Sequence, residues 1–235
     1  MYITTLVTSL FILLLFIFFW VFEMLYESKF LGRYNIKVTA TLVYGFLLFL
    51  SSEIMLFASF FWAFIDRYCT LSSYTGLWYT VAVAESFDSI KTPIFATLVL
   101  VTSGFTYNTA YYYYKGRMSL GFVLFSTLTL VLGSFFLWIQ YNEYINLLCT
   151  ISNTVSLSLF YLITGFHGAH VFVGILFIFL TQVQLTLYKS STGNMLMLSI
   201  SLMYWHFVDI IWLVVLTFLY FKQSLDLENY ITYSF

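Results

Sequence analysis

Charge is scarce in this chain: only 8% of its 235 residues are Asp, Glu, Lys or Arg, and the formal net charge is −1. No Lys/Arg-rich run is present, which excludes nucleic-acid binding, because phosphate backbones are held by clustered basic side chains. Cysteine is equally sparse. Cys69 and Cys149 stand alone without CxxC spacing, so there is no metal framework of the zinc-ribbon kind. Proline occurs once, at Pro93, and neither a linker of low complexity nor an internal repeat interrupts the chain. The opening MYITTLVTSLFILLLFIFFWVF has no basic residue ahead of its apolar run and is not rich in Arg, unlike secretory and transit peptides. The expectation is that this first segment is kept as a helix.

What the chain has in abundance is apolar surface: 62% of residues are hydrophobic and 23% aromatic, and the mean hydropathy is +0.94. These values belong to an integral membrane protein. A hydrocarbon core of roughly 30 Å takes about 20 apolar residues per helix, leaving room for about six or seven crossings and no soluble domain. The 28 Phe and 20 Tyr are spread along the chain. That spread reads as a nucleotide bias towards A and T together with interfacial anchoring by Tyr and Trp.

Six apolar spans can be marked, at 2–22, 38–65, 92–114, 118–142, 153–188 and 195–222. The predicted class is an all-α polytopic membrane protein with six transmembrane helices. Pro93 opens the third span, where its missing N–H costs nothing, and Ser152 and Asn153 are good caps for the fifth. Lys29, Arg33, Lys37, Lys115, Arg117 and Lys189 fall in loops on one side. Arg67, Lys91 and Lys222 fall on the other, among Asp66, Glu85, Asp88, Glu143, Asp226 and Glu228. The positive-inside rule then places both termini on the outer side, together with Cys69 and Cys149, whose pairing is left open.

Ionisable groups inside hydrocarbon cost about 2.5–3.5 kcal/mol on insertion scales, so each calls for a reason. Five stand out: Glu53, His167, His170, His206 and Asp209. Glu53, in SSEIMLFASFFWAF, is either a proton-carrying carboxylate or a carboxyl kept neutral and bonded to a hydroxyl such as Ser52 or to a neighbouring helix. His206 and Asp209, at i and i+3 in YWHFVDIIW, can neutralise one another. His167 and His170, also at i and i+3, stand in GFHGAHVFVG among Gly165, Gly168, Ala169 and Gly174. Small residues at such spacings favour close helix packing and hydrogen bonding between helices. A metal site needs three or four converging ligands, and the chain has three histidines in all. Two further readings stay open at this point: a haem held by His ligands from two helices, and a proton-coupled carrier using Glu53, His206 and Asp209.

SEIMLFASFFWAF, TGFHGAHVFVGILF and YWHFVDIIWLVVLTFLYF, in that order, resemble subunit III of the haem-copper cytochrome c oxidases in its mitochondrial form. Weaker resemblances join them: YESKFLG at 26–32, the stretch from Pro93 to Gly104, QYNEY at 140–144 and TISN at 150–153. Members of that family have seven helices, an arm of two set apart from a bundle of five by a cleft that holds phospholipid. Here the first span resembles the family's second, so one arm helix is absent. Arg33 and Tyr34, and NTAY at 108–111, stand where the family has histidines. Gln184 and Leu187 stand where it has basic residues, while Trp78 and Glu27 match.

The resemblance implies an arm helix at 1–26, a five-helix bundle at 38–222 and a short tail at 223–235. It implies a non-redox core subunit of complex IV in the mitochondrial inner membrane, with both termini facing the intermembrane space. Such a subunit packs on subunit I, beside subunit II and accessory subunits, and supports electron transfer from cytochrome c to oxygen with proton pumping. Haem a, haem a3 and the copper centres are then expected in subunits I and II, with bound phospholipid, cardiolipin or phosphatidylethanolamine, as the ligand of this chain. Glu27 and Glu53 are the expected lipid-cleft or intramembrane polar residues. His167, His170, His206 and Asp209 are the expected helix-packing polar residues. A separate polypeptide is expected to supply the missing arm helix.

Overall fold

A computed structural model of the chain describes residues 2–30, 35–75, 91–147, 150–152, 155–187 and 192–221. Arg33, Tyr34, Trp78, Cys149, Asn153 and the tail at 223–235 lie outside the described residues, as does the side chain of Cys69. Six α-helices are found among the described residues: α1 (Tyr2–Phe30), α2 (Ile36–Thr75), α3 (Lys91–Lys115), α4 (Ser119–Asn146), α5 (Val155–Leu187) and α6 (Thr192–Val215). The last continues into a π-helical segment, Leu216–Phe221.

Four of these helices are long and apolar enough to cross a membrane, over Ile36–Arg67, Ser119–Asn146, Leu157–Leu187 and Met195–Tyr220. Of the two other helices, α3 falls short by that measure. In α1 the described apolar stretch is Thr4–Leu13, and α3 owes its lower hydropathy to Thr97, Thr102, Ser103, Thr106 and Asn108. Three of those polar residues bond neighbouring helices: Thr97 and Ser103 accept from indoles of α6, and Thr106 shares a hydrogen bond with Thr129 of α4.

Local chemistry sets the helix ends. Asn35 caps α2, its Oδ1 accepting the backbone N–H of Val38 at 2.9 Å. The helix then runs 40 residues, about 60 Å, well past the thickness of a bilayer core. Between α3 and α4 the chain reverses in a Schellman motif. Arg117 N–H bonds Tyr114 O at 3.0 Å and Met118 N–H bonds Tyr113 O at 2.9 Å, with Arg117 at φ 60°. This left-handed position usually belongs to glycine, yet here the glycine is one residue earlier, at Gly116.

α3 packs on α4 and α6, α5 packs on α4 and α6, and α2 leans on α5 and α6. α1 has no comparable packing partner among the described residues, and its side chains from Thr4 to Leu13 are all exposed. The core lies around α6, where Trp205 and Trp212 are fully buried with Leu100, Phe57 and Phe136. Trp205 occupies a slot between two glycines. A Cβ on Gly133 of α4 would lie 2.8 Å from the indole Cη2, and one on Gly174 of α5 would lie 2.9 Å from Cε3.

Hydroxyls on α3 then fasten α6 in register. Trp205 Nε1 donates to Ser103 Oγ at 3.1 Å, Trp212 Nε1 donates to Thr97 Oγ1 at 2.9 Å, and Tyr107 Oη and Ser201 Oγ lie 2.6 Å apart. In hydrocarbon, where water does not compete, such bonds satisfy groups that would otherwise be costly to bury.

Candidate functional site

The intramembrane ionisable residues lie near the middle of their helices. Glu53 is about 26 Å along α2, His170 about 23 Å along α5 and His206 about 17 Å into the apolar span of α6, at 1.5 Å per residue. None of these positions reaches interfacial water along its own helix. The neighbours brought in by the fold therefore decide what each residue does.

Glu53 meets His170. Oε2 of Glu53 lies 2.9 Å from Nε2 of His170, with side chains 19% and 14% exposed. The other ring nitrogen, Nδ1, lies 2.7 Å from the carbonyl oxygen of Phe166, one turn back on α5. A carbonyl only accepts, so Nδ1 must carry a proton. One further proton then lies between Nε2 and Oε2. Whether it rests on the imidazole or on the carboxyl, the pair has no net charge, which is the state a membrane interior favours. Phe57 and Phe207 flank the imidazole, with ring centroids at 5.2 Å and 6.3 Å. The Ser52 hydroxyl, one partner that sequence alone allowed Glu53, turns instead to the carbonyl of Phe49 at 2.7 Å.

His167 behaves differently although it is three residues away. It is 1% exposed, stacked obliquely on Trp212 at 5.0 Å and met edge-on by Phe136 at 5.7 Å. Neither of its ring nitrogens has a hydrogen-bond partner among the described residues. This corrects the expectation that both histidines work by hydrogen bonding between helices: only His170 does. Gln140 of α4 is also buried, and neither atom of its amide is hydrogen-bonded among the described residues. One turn further along α4, Glu143 accepts a bond from Tyr220 Oη at 3.2 Å, and Tyr144 Oη lies in a hydrogen bond with Thr164 Oγ1 at 2.5 Å. Sequence reasoning did not single out Gln140 or Glu143 as intramembrane groups. Their signal was the run QYNEY inside the fourth helix.

His206 and Asp209 form the second pair, with Nδ1 and Oδ2 3.5 Å apart, and with side chains 44% and 11% exposed. A Cβ on Gly104 of α3 would collide with Asp209 Oδ2, so the bare backbone there makes room for the carboxyl. The small residues around the two histidines of α5 do not form a packing stripe of that kind. Gly165 and Ala169 are exposed, and Gly168 has nothing nearer than Leu137 at 4.0 Å. Only Gly174 is closely approached, and by the indole of Trp205 rather than by a helix backbone. Glu27 lies half-buried on α1.

Thus the fold joins Glu53 to His170 and His206 to Asp209, and encloses His167 in aromatic rings. Among the described residues no three His, Cys, Asp or Glu side chains are grouped as metal ligands. Comparison with known proteins decides the family. The family described as cytochrome c oxidase subunit III matches residues 1–224. This chain belongs to the cytochrome c oxidase subunit III family.

Individual relatives agree. Cytochrome c oxidase subunit 3 of Heterololigo bleekeri is 30% identical over 220 residues, which is 94% of this chain and 85% of the relative. That of Latimeria chalumnae is 31% identical over 214 residues, covering 91% and 82%. That of Allomyces macrogynus is 31% identical over 205 residues, covering 87% and 75%. The chain is accordingly a subunit of complex IV of the respiratory chain, an oxidoreductase complex, with helices that fit a multi-pass inner-membrane protein.

Proposed function

We propose that this chain is the non-redox core subunit III of the mitochondrial oxidase, packing on subunit I and sustaining electron transfer from cytochrome c to oxygen and proton pumping without a redox centre of its own. The observation that carries this reading is the engagement of His170. Both of its ring nitrogens are occupied, one by the Phe166 carbonyl and the other by Glu53, which leaves no lone pair for a metal. His167 faces aromatic rings on α4 and α6 rather than another histidine. The carrier alternative needs Glu53, His206 and Asp209 to act together, whereas each acid here is matched to its own histidine.

In this reading α1 is the arm, and α2 to α6 form the bundle, with α1 and α3 crossing the membrane beside α2, α4, α5 and α6. The basic loops face the matrix and both termini face the intermembrane space. Phospholipid, cardiolipin or phosphatidylethanolamine, occupies the cleft between α1 and the bundle, near Glu27 and Glu53. The exposed side chains of α1 fit packing against a companion helix, which we assign to a separate polypeptide. His167 fills the core, while His170, His206 and Asp209 hold helix faces together.

An optical spectrum tests the central point. The chain, separated from the purified complex, is expected to show no Soret band, while the haem a spectrum stays with the remaining subunits. A bis-His haem spectrum on the isolated chain would overturn the reading. A map of the intact complex with only lipid beside α1 would refute the companion helix.

A further inference from the structure

A polar cluster stands where α4, α5 and the end of α6 meet. Glu143 lies one turn from the end of α4 at Asn146, and its carboxyl accepts the hydroxyl of Tyr220 at 3.2 Å. Tyr220 belongs to the π-helical segment that follows α6, is 4% exposed, and packs against Phe160 and Trp212 with ring centroids at 5.7 Å and 6.2 Å. Beside both stands Gln140, one turn back on α4 and 6% exposed. π-Helical turns are uncommon and recur at functional sites.

Two groups in this cluster lack a match. The carboxyl has no counter-charge among the described residues. Around it are Gln140 and Tyr144 of α4, Thr164 of α5 with Tyr161 behind Tyr144, and Tyr220. The basic residues described at this end, Arg67 of α2 and Lys91 of α3, form no ion pair with it. The amide is the second: neither Nε2 nor Oε1 of Gln140 is hydrogen-bonded among the described residues. Tyr144 supplies no donor to the carboxyl. The Thr164 hydroxyl gives its proton to the Phe160 carbonyl at 2.7 Å, so in the bond between the two hydroxyls Tyr144 is the donor, and its own proton is committed.

We propose that Glu143 is an exchangeable proton site, and that Gln140 is the donor kept beside it for the ionised form. With the proton in place the carboxyl is neutral, which suits surroundings without a cation, and the amide stands unbonded as observed. When the O–H bond of the carboxyl breaks, the proton passes to water at the end of α4, one turn from the partly exposed Glu143. The carboxylate then takes two donors, Tyr220 Oη and, turned toward it, Gln140 Nε2, because hydrogen bonds to the charged form offset the loss of water. An amide that adds nothing to stability while Glu143 is protonated thereby has a use. The proton is also tied to the fold. Tyr220 joins the π-helical segment to α4, and it does so more strongly through a carboxylate than through a neutral carboxyl.

The test is an infrared pH titration of the intact complex. Subtracting the spectrum of Glu143→Gln from that of the parent isolates this one carboxyl. The expected difference is a protonated-carboxyl band that shifts in heavy water and gives way to carboxylate bands as the pH rises through about 5 to 9. Gln140→Leu and Tyr220→Phe each remove one donor to the carboxylate, so in both the change should need a pH about one unit higher. A carboxyl that keeps one form across the whole range would overturn the proposal, and so would a titration that Gln140→Leu leaves in place. Replacing sodium and potassium by choline in the buffer should move nothing. A shift there would make a metal cation the occupant and overturn the proton. If Glu143→Gln does not assemble, a carboxyl band displaced in both other variants identifies the site, and the lack of such a band overturns it.

Discussion

The two glycines around Trp205 give the sharpest test of how this bundle is packed. In Gly133→Ala the new methyl carbon would lie 2.8 Å from Trp205 Cη2 and 3.2 Å from both Trp205 Cζ2 and Ile175 Cγ1. Carbon atoms at rest keep about 3.5–4.0 Å, so a shift of roughly half an ångström or more is required. The indole is poorly placed to give it. Trp205 is 0% exposed, its Nε1 is tied to Ser103, and its neighbouring ring atoms Cε3 and Cζ3 lie against Gly174. Overpacking of this kind costs about 1–3 kcal/mol.

Against that cost stands the gain from replacing a helical glycine by alanine, about 0.5–1 kcal/mol. Gly45 of α2 measures this gain alone, because a Cβ there meets nothing within 4 Å. The expected order of stability is therefore Gly45→Ala at or above the parent, and Gly133→Ala below it, with a gap of about 2 kcal/mol between the variants. For a chain of this size such a gap corresponds to roughly 4–8 °C in the unfolding midpoint. Thermal unfolding of the chain within the purified complex, followed by its release, gives the assay. Adding Trp205→Phe removes the atoms that collide, so Gly133→Ala should cost less in that background than alone. Equal midpoints for Gly45→Ala and Gly133→Ala would refute the reasoning, since they would mean that the indole moves freely.

Other outcomes follow from the same geometry. Arg117 holds a left-handed conformation that costs a non-glycine residue about 1 kcal/mol, so Arg117→Gly should raise the unfolding midpoint slightly, and Arg117→Val should lower it. Removing one member of the Glu53–His170 pair leaves a polar group unmatched at mid-span. Glu53→Leu and His170→Leu should each cost about 3 kcal/mol, and the double variant should cost less than the sum of the two, which a double-mutant cycle in the complex would measure. Gln140 is buried beside Glu143, Tyr144 and Tyr220, and among the described residues neither of its amide atoms makes a hydrogen bond of good geometry, so Gln140→Leu should be neutral or stabilising by about 1 kcal/mol; a loss of stability would show that the amide bonds one of these neighbours.

Much of the organisation was legible along the chain because it follows from local chemistry. Apolar runs and the single proline that opens the third span are readable as helix in a membrane. The motifs GFHGAHV and YWHFVDIIW are readable as family marks. Helical spacing even shows that His206 and Asp209 share a face, because both lie on one helix and the geometry between them is that of the helix itself. Pairing across helices is another matter. Three residues along a helix turn a side chain by about 300°, so His167 and His170 diverge by about 60°, enough to aim one at α4 and α6 and the other at α2. No pattern within α5 says which of the two will find an acid.

The sequence by itself determined that this chain lives in a membrane, which residues form its long helices, where its few ionisable groups interrupt them and which family it joins. Only the tertiary structure decided that Glu53 meets His170 rather than Ser52. It alone decided that His167 is sealed among aromatic rings, and that Gly104, Gly133 and Gly174 make room for a carboxyl and an indole. The reason is physical. Burial in hydrocarbon demands a partner for every polar group, a demand visible in one dimension, but the partner is chosen by how separate helices are rotated and raised against each other, and that is settled by packing among residues far apart in the chain.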